Sequence, residues 1–260
     1  IGAIFTVAVS AYYLLKKREQ KLAIESIKIG SIVGVVASLL AAFTGDNSAY
    51  MVSKVQPMKL AAMEALYNGG QDQSLTAVAW VNPFAQSDYV NQKEAPARIG
   101  IPNGLSILAT RSFHGYVPGV NNLINGYQLP DGTKELSVAE KIAKGKKAIV
   151  ALSKYREAKK FKNDADAKAN LAVLNANMKY FGYGYVKSAD QLVPYIPLCF
   201  WSFRVMVGMG CLLILFFALS LFYVYRQDIA KVNWLLVAGI VMLPLSYIAS
   251  ESGWLVAELG

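Results

Sequence analysis

A chain of 260 residues that is 55% hydrophobic and only 17% charged, with a mean hydropathy of +0.34, is too apolar for an ordinary soluble domain, in which charged residues approach a quarter of the total. The composition excludes that class and makes the chain a membrane protein. Its net charge of +9 does not make it a nucleic-acid binder, because the lysine-rich stretch 141–168 is interleaved with Ala, Leu and Glu and reads as a solvated helical face.

The apolar residues fall into four stretches, 1–15, 27–43, 197–225 and 232–256. A hydrocarbon core of roughly 30 Å needs about 20 helical residues, so the second is slightly short and the third and fourth are ample. The first opens inside an apolar run without the charged start of a signal peptide, and no polar tail follows the fourth. These ends are read as those of a fragment of a longer polypeptide. The short basic loops around Lys16, Lys17, Arg18 and Lys21, and from Arg226 to Lys231, should share the cytoplasmic side under the positive-inside rule. The sequence thus predicts an all-α integral membrane protein with a truncated span at 1–15, a cytoplasmic loop at 16–26, a span at 27–43, a large and partly helical extracytoplasmic loop at 44–192, a span at 193–225, a cytoplasmic loop at 226–231 and a last span at 232–260.

The long loop has three parts. Residues 45–67 include Val55-Gln-Pro-Met-Lys-Leu-Ala-Ala-Met-Glu-Ala-Leu-Tyr67, in which Pro57 suits the first position of a helix and Lys59 to Tyr67 are good helix formers. An amphipathic surface helix accounts for that much. Residues 68–132 carry the turn signals Asn82-Pro83, Pro102-Asn103-Gly104 and Pro130-Asp131-Gly132 and predict irregular structure. Residues 137–179 have helical periodicity, with Ser137 as N-cap and Glu140 completing a capping box, a break near Asn163-Asp164, and a stop at Phe181-Gly-Tyr-Gly-Tyr185.

Within the third span, Arg204 stands about ten residues from the outer end, where an arginine is costly unless it snorkels or meets an anion. Met206 follows two residues on. A methionine in a span is usually a packing residue, and residues two apart point to nearly opposite sides of a helix. In the fourth span Glu251, Trp254 and Glu258 are spaced i, i+3 and i+7, one helical stripe. Intramembrane carboxylates are functional candidates, as metal ligands, proton relays or cation partners. The third span runs inward and the fourth outward, so Met206, ~13 Å below Pro197, and Glu258, ~38 Å beyond Asn233, both come near the outer face. Cys199 and Cys211 are ~18 Å apart along one helix, beyond disulfide reach. The sole histidine, His114, has no second histidine or cysteine near it in sequence and reads as an exposed loop residue.

Gln-Pro-x-Lys-x-Ala-Ala-x-Glu, preceded by Gly45-Asp-Asn-Ser-Ala-Tyr50, resembles the quinol-binding loop of subunit I of cytochrome bd ubiquinol oxidase. Phe203-Arg-x-Met206 resembles the segment whose methionine is an axial ligand of the low-spin haem b, and Gly253-Trp-x-x-x-Glu258 the segment whose glutamate ligates the high-spin haem b. The likeness extends over nearly the whole chain. It implies that Lys59 and Glu64 act in quinol oxidation, that Met206 ligates haem b558 and Glu258 haem b595, that Arg204 partners a haem propionate or quinol, and that Trp254 lies between haems. It further implies that electrons pass to haem d, where oxygen becomes water, in a bacterial plasma membrane and in company with subunit II and the N-terminal part of subunit I, which would carry the histidine ligands missing here. The alternatives are a non-enzymatic membrane protein displaying a helical extracytoplasmic domain to a partner, and a haem-free quinone-binding transporter. The first needs no buried methionine or carboxylate stripe, and the second should have broken helices and midplane polar sites.

Overall fold

A computed structural model describes residues 1–81 and 98–259; the Asn82-Pro83 turn and Gly260 lie outside the described residues. In chain order they form α1 (Gly2–Leu15), α2 (Gln20–Val55), α3 (Pro57–Met63), β1 (Leu75–Ala79), β2 (Arg98–Ile101), α4 (Gly104–Thr110), α5 (Val120–Asn125), β3 (Tyr127–Gln128), β4 (Lys134–Glu135), α6 (Val138–Lys160), α7 (Asp164–Asn177), α8 (Ile196–Tyr225) and α9 (Asn233–Leu259), with 3₁₀ segments at Met178–Tyr185, Ala189–Leu192 and Ile229–Lys231. The chain divides into two compact units, one of residues 1–51 and 198–259, the other of residues 52–197.

The first unit holds the apolar helices. Among the described residues three helices are long and apolar enough to cross a membrane, α2, α9 and the stretch Ala189–Tyr225 that includes α8, while α1 is a shorter apolar helix of 14 residues. Its core joins Ile4, Val7, Ala11 and Leu14 of α1 to Ala23 and Ile27 of α2, Phe216, Phe217 and Val224 of α8, and Leu235 and Leu236 of α9. Close approach is set by small residues: a Cβ at Gly34 would lie 2.5 Å from the Phe217 ring, and one at Gly30 2.9 Å from Val7 Cγ2. Much of the outer surface is apolar, with Leu39, Leu40 and Phe43 of α2 all exposed, as befits helices whose backbone is satisfied internally and whose side chains face lipid.

Two boundaries differ from the sequence expectation. The loop expected at 16–26 is only four residues long, because Gln20 already opens α2. At its other end α2 runs on through Gly45, Asp46 and Asn47 to Val55, twelve residues past the expected span end at 43. Hydropathy marks where apolar residues stop, whereas a helix continues as long as its backbone bonds do.

The second unit is polar and built around a helical hairpin. Ser137 caps α6 as expected: its Oγ accepts from the Glu140 N–H at 3.2 Å, and the Glu140 carboxylate accepts from the Ser137 N–H at 2.9 Å. Asn163 caps α7, accepting from the Asp166 N–H at 3.3 Å. Ala148, Ala151 and Leu174 form the hairpin core, flanked by Leu152 and Phe181. The Phe-Gly-Tyr-Gly-Tyr run returns along α6, and glycine is needed on both sides of the contact: a Cβ at Gly184 would sit 2.6 Å from the Gly145 carbonyl carbon, and one at Gly145 2.3 Å from the Gly184 nitrogen, whereas one at Gly182 would meet nothing within 4 Å.

The stretch expected to be irregular, 68–132, contains the short helices α4 and α5, and two short antiparallel ribbons, whose last strand lies just beyond it, modify the all-α expectation. One pairs Leu75 with Ile101 and Ala79 with Arg98, with an irregularity between Thr76 and Val78; the other pairs Tyr127 with Glu135. Strands of two to five residues leave almost no alternation to read. The helix expected through Tyr67 stops at Met63, and Ala65 takes a positive φ of 48°. Leu66 and Tyr67 instead accept backbone bonds from Val120 and Asn121, both at 2.9 Å. Tertiary pairing overrides the helix propensity of the segment.

Candidate functional site

The Gln-Pro-x-Lys motif straddles a break between two helices. Gln56 is the N-cap of α3 and Pro57 its first residue, where a missing N–H costs nothing. Lys59 is half-buried on α3, and Glu64 is its C-cap, only 2% exposed. Glu64 still donates its N–H to the Leu60 carbonyl at 3.1 Å, and the chain turns only after it, at Ala65. Glu64 Oε2 accepts from the backbone N–H of Thr76 at 3.1 Å. That bond ties the motif to β1, twelve residues on, and fixes the direction of a carboxylate that is otherwise removed from water. Burying an ion demands such compensation.

Thr76 was not foreseen: its contribution is a backbone N–H, and no local pattern marks a donor on a strand so short. Thr76 is itself 2% exposed. Nearby, Arg98 of β2 donates from Nη2 to the Ser74 carbonyl at 3.0 Å, holding β2 to the start of β1.

His114 is exposed, as expected. Its Nδ1 lies 2.6 Å from Asp72 Oδ1, with both side chains more than half exposed, so the pair is a surface contact. Among the described residues no group of three or more His, Cys, Asp or Glu could hold a metal ion. Cys199 is buried and Cys211 exposed. The basic residues of α6 lie at positions 141, 144, 146, 147, 154, 156, 159 and 160, which at 100° per residue spread around the whole axis. They form a solvated helix, as expected, and not a one-sided patch.

In the apolar unit, Arg204 is half-buried, its guanidinium 4.9 Å from the centre of the Phe200 ring and 5.1 Å from that of Phe203. A desolvated guanidinium over aromatic faces is stabilised by about 2 kcal/mol, which offsets part of the cost of an arginine on an apolar helix. Met206 is also half-buried. Its sulfur seats against α9 at Gly253, where a Cβ would lie only 2.9 Å from Sδ. That contact places Met206 between Glu251 and Trp254 in height along α9, with Glu258 five residues, or roughly 7.5 Å, further on.

The stripe does not face the core of its unit. Ser246, Ser252 and Val256 are the buried residues of that part of α9, whereas Glu251 and Glu258 are exposed and Trp254 is 60% exposed. In a helix of this apolarity, exposure means contact with lipid or with another group, and a carboxylate facing lipid is costly. The residues fit a haem. A thioether and a carboxylate are both iron donors, each on its own helix, Trp254 gives a flat apolar surface one turn from Glu258, and a methyl at Gly210, one turn from Met206 on the same face, would meet nothing within 4 Å.

The family model for cytochrome bd terminal oxidase subunit I matches residues 1–260. Cytochrome bd-II ubiquinol oxidase subunit 1 of Escherichia coli (strain K12) is 35% identical over 262 residues, covering 100% of this chain and 49% of the relative. Cytochrome bd ubiquinol oxidase subunit 1 of Bacillus subtilis (strain 168) is 28% identical over 259 residues, covering 100% of this chain and 42% of the relative. The chain thus spans about half the length of the curated relatives it matches. The bd oxidase from Geobacillus thermodenitrificans superposes with a TM-score of 0.64 at 19% identity, over 100% of this chain and 43% of that one, a likeness of fold. With a family match along its whole length and a full-length alignment at 35% identity, this chain belongs to the cytochrome bd terminal oxidase subunit I family.

Proposed function

We propose that this chain carries the quinol-oxidising and haem-ligating part of a bd-type oxidase of the bacterial plasma membrane, with residues 44–192 on the outer side. The observation that carries the reading is Glu64: a buried carboxylate oriented by the Thr76 N–H at 3.1 Å, inside the motif that resembles a quinol-binding loop. Oxidising a quinol to a quinone releases two electrons and two protons. A fixed carboxylate can take a hydroxyl proton, and Lys59 on the preceding helix can hold the hydroxyl oxygen or stabilise the anion left behind. Protons released there would leave on the outer side.

On the apolar unit, Met206 and Glu258 would hold haems b558 and b595, and Arg204 would meet a propionate or the quinol. Haem supplies one-electron redox chemistry when bound, with a thioether ligand favouring reduced iron. The chain's own part is to present a sulfur on α8 and a carboxylate on α9, the carboxylate one helical turn from Trp254. Haem d, oxygen reduction to water, subunit II and the remainder of subunit I complete the proposed enzyme.

The test uses the assembled oxidase. Glu64→Ala should lower quinol oxidase turnover by roughly 10²–10⁴, the range of a general base, with the haem spectrum unchanged. Unchanged steady-state kinetics in both Glu64→Ala and Lys59→Ala would remove this loop from the reaction.

A further inference from the structure

We propose that Gly253 is a positioning residue for the Met206 thioether, so that the helix carrying Trp254 and Glu258 also sets where the sulfur on α8 lies. This rests on the reading of Met206 as a haem ligand and adds to it the residue that fixes the ligand from behind.

The observation is steric. A Cβ built on Gly253 would lie 2.9 Å from Met206 Sδ and 3.7 Å from its Cγ. Ordinary contact between non-bonded heavy atoms is about 3.5–4.0 Å, so any side chain at 253 must push the sulfur away by several tenths of an ångström. Other close glycines of this unit are different in kind. At Gly34 the obstacle is the Phe217 ring at 2.5 Å, a rigid group inside the core. At Gly253 the obstacle is the far end of a methionine, an unbranched side chain with three rotatable bonds. A methyl group added at 253 is therefore accommodated cheaply, by moving the one atom that would ligate iron. The fold can survive the change while the ligand geometry cannot.

Gly253 acts on this sulfur by shape alone, since it has no side chain to offer. Trp254 and Glu258 are exposed on the stripe, while Gly253 is the half-buried residue beside it. The same helix thus offers a carboxylate outward and a backbone stop toward Met206. Displacing that stop changes one proposed ligand and leaves the other untouched.

The experiment is a set of substitutions in the assembled oxidase, read by reduced-minus-oxidised spectra, low-spin electron paramagnetic resonance and redox titration of the b haems. Gly253→Ala should give partial loss of the low-spin signal and a downward shift of that haem's midpoint potential, with the high-spin haem b retained. In a Met206→Leu background, Gly253→Ala should add no further shift, because the sulfur it would move is gone. If Met206→Leu alters the low-spin haem but Gly253→Ala has wild-type spectra and potential, the positioning role is overturned and the ligand assignment stands. If Met206→Leu itself changes nothing, the ligand reading fails and the proposal with it. Should Gly253→Ala prevent assembly, Gly253→Ala combined with Met206→Ala must restore it, since the shorter side chain makes room for the methyl; failure to restore assembly overturns the steric link.

Discussion

Each unit of the chain presents a glutamate as its proposed reactive group, and the two are displayed in opposite ways. Glu64, in the polar unit, is 2% exposed and bound to a backbone N–H. Glu258, in the apolar unit, lies on the surface beside a 60% exposed Trp254. In a water-soluble structure the exposed carboxylate would be the bland one and the buried one the candidate. A membrane reverses half of that rule: exposure on an apolar helix places the carboxylate against lipid, where an ion is costly, so Glu258 needs a partner from outside its own unit as much as Glu64 needs one from within. Exposure has meaning only relative to the solvent on the other side.

The largest expected effect breaks this comparison at Glu258. Glu258→Ala should remove the high-spin haem b from the purified oxidase and abolish oxygen consumption, while Glu258→Gln, which keeps an oxygen donor, retains part of both. A full haem complement and normal oxygen uptake in Glu258→Ala would make the residue a proton-relay or structural carboxylate. Glu251, seven residues earlier on the same exposed stripe, is the internal comparison. Glu251→Ala should keep the haem that Glu258→Ala loses.

The apolar unit was the more legible of the two in sequence, and the reason is physical. Its helices are specified by continuous apolar length, and Arg204 and Glu258 stand out against that background because a charge is unusual in a span, whereas Met206 and Trp254 are singled out by the family resemblance. What the sequence did not carry was the contact at Gly253, since a glycine in an apolar helix has several uses and its neighbour on α8 is 47 residues distant. In the polar unit the Ser137 capping box, the break at Asn163 and the return at the Gly-Tyr-Gly run were readable because each is a local signal. The ribbons β1–β2 and β3–β4 and the early end of α3 were not, because they are fixed by pairing between segments far apart, such as the bonds from Val120 and Asn121 back to Leu66 and Tyr67. Thr76 belongs to the same class: nothing within its own strand foretells that its N–H serves Glu64.

A middle-sized effect sharpens the comparison on the packing side. Gly34→Val would drive a branched side chain into the Phe217 ring, which already lies 2.5 Å from where a Cβ would start. Overpacking of this kind costs about 1–3 kcal/mol, and the rigid ring cannot swing away as the Met206 thioether can. The variant should reduce the yield and thermal stability of the assembled protein, with the spectrum of whatever assembles unchanged. A normal yield and melting point would show that α2 and α8 are less tightly fitted than the Gly34–Phe217 contact requires.

The smallest effect belongs to the polar unit and concerns α6. Ser137→Ala removes an N-cap acceptor, a loss of about 1 kcal/mol, and should raise amide exchange over the first turns of α6 with no change in oxidase turnover. The pH dependence follows from Glu140, whose carboxyl is held below its ordinary value of 4.5 first by the Ser137 backbone N–H and then by the Ser137 hydroxyl. A carboxyl with a lowered folded value contributes stability that is present above its unfolded value and is lost as pH falls through the folded one. Protection of the α6 N-terminus should therefore weaken as the pH drops below 4.5 in the wild type. The dependence should narrow in Ser137→Ala, which keeps the backbone donor, and vanish in Glu140→Gln, which cannot ionise. Equal acid sensitivity in wild type and Glu140→Gln would assign the loss to other carboxylates and leave the capping box as a pH-independent stop for the helix.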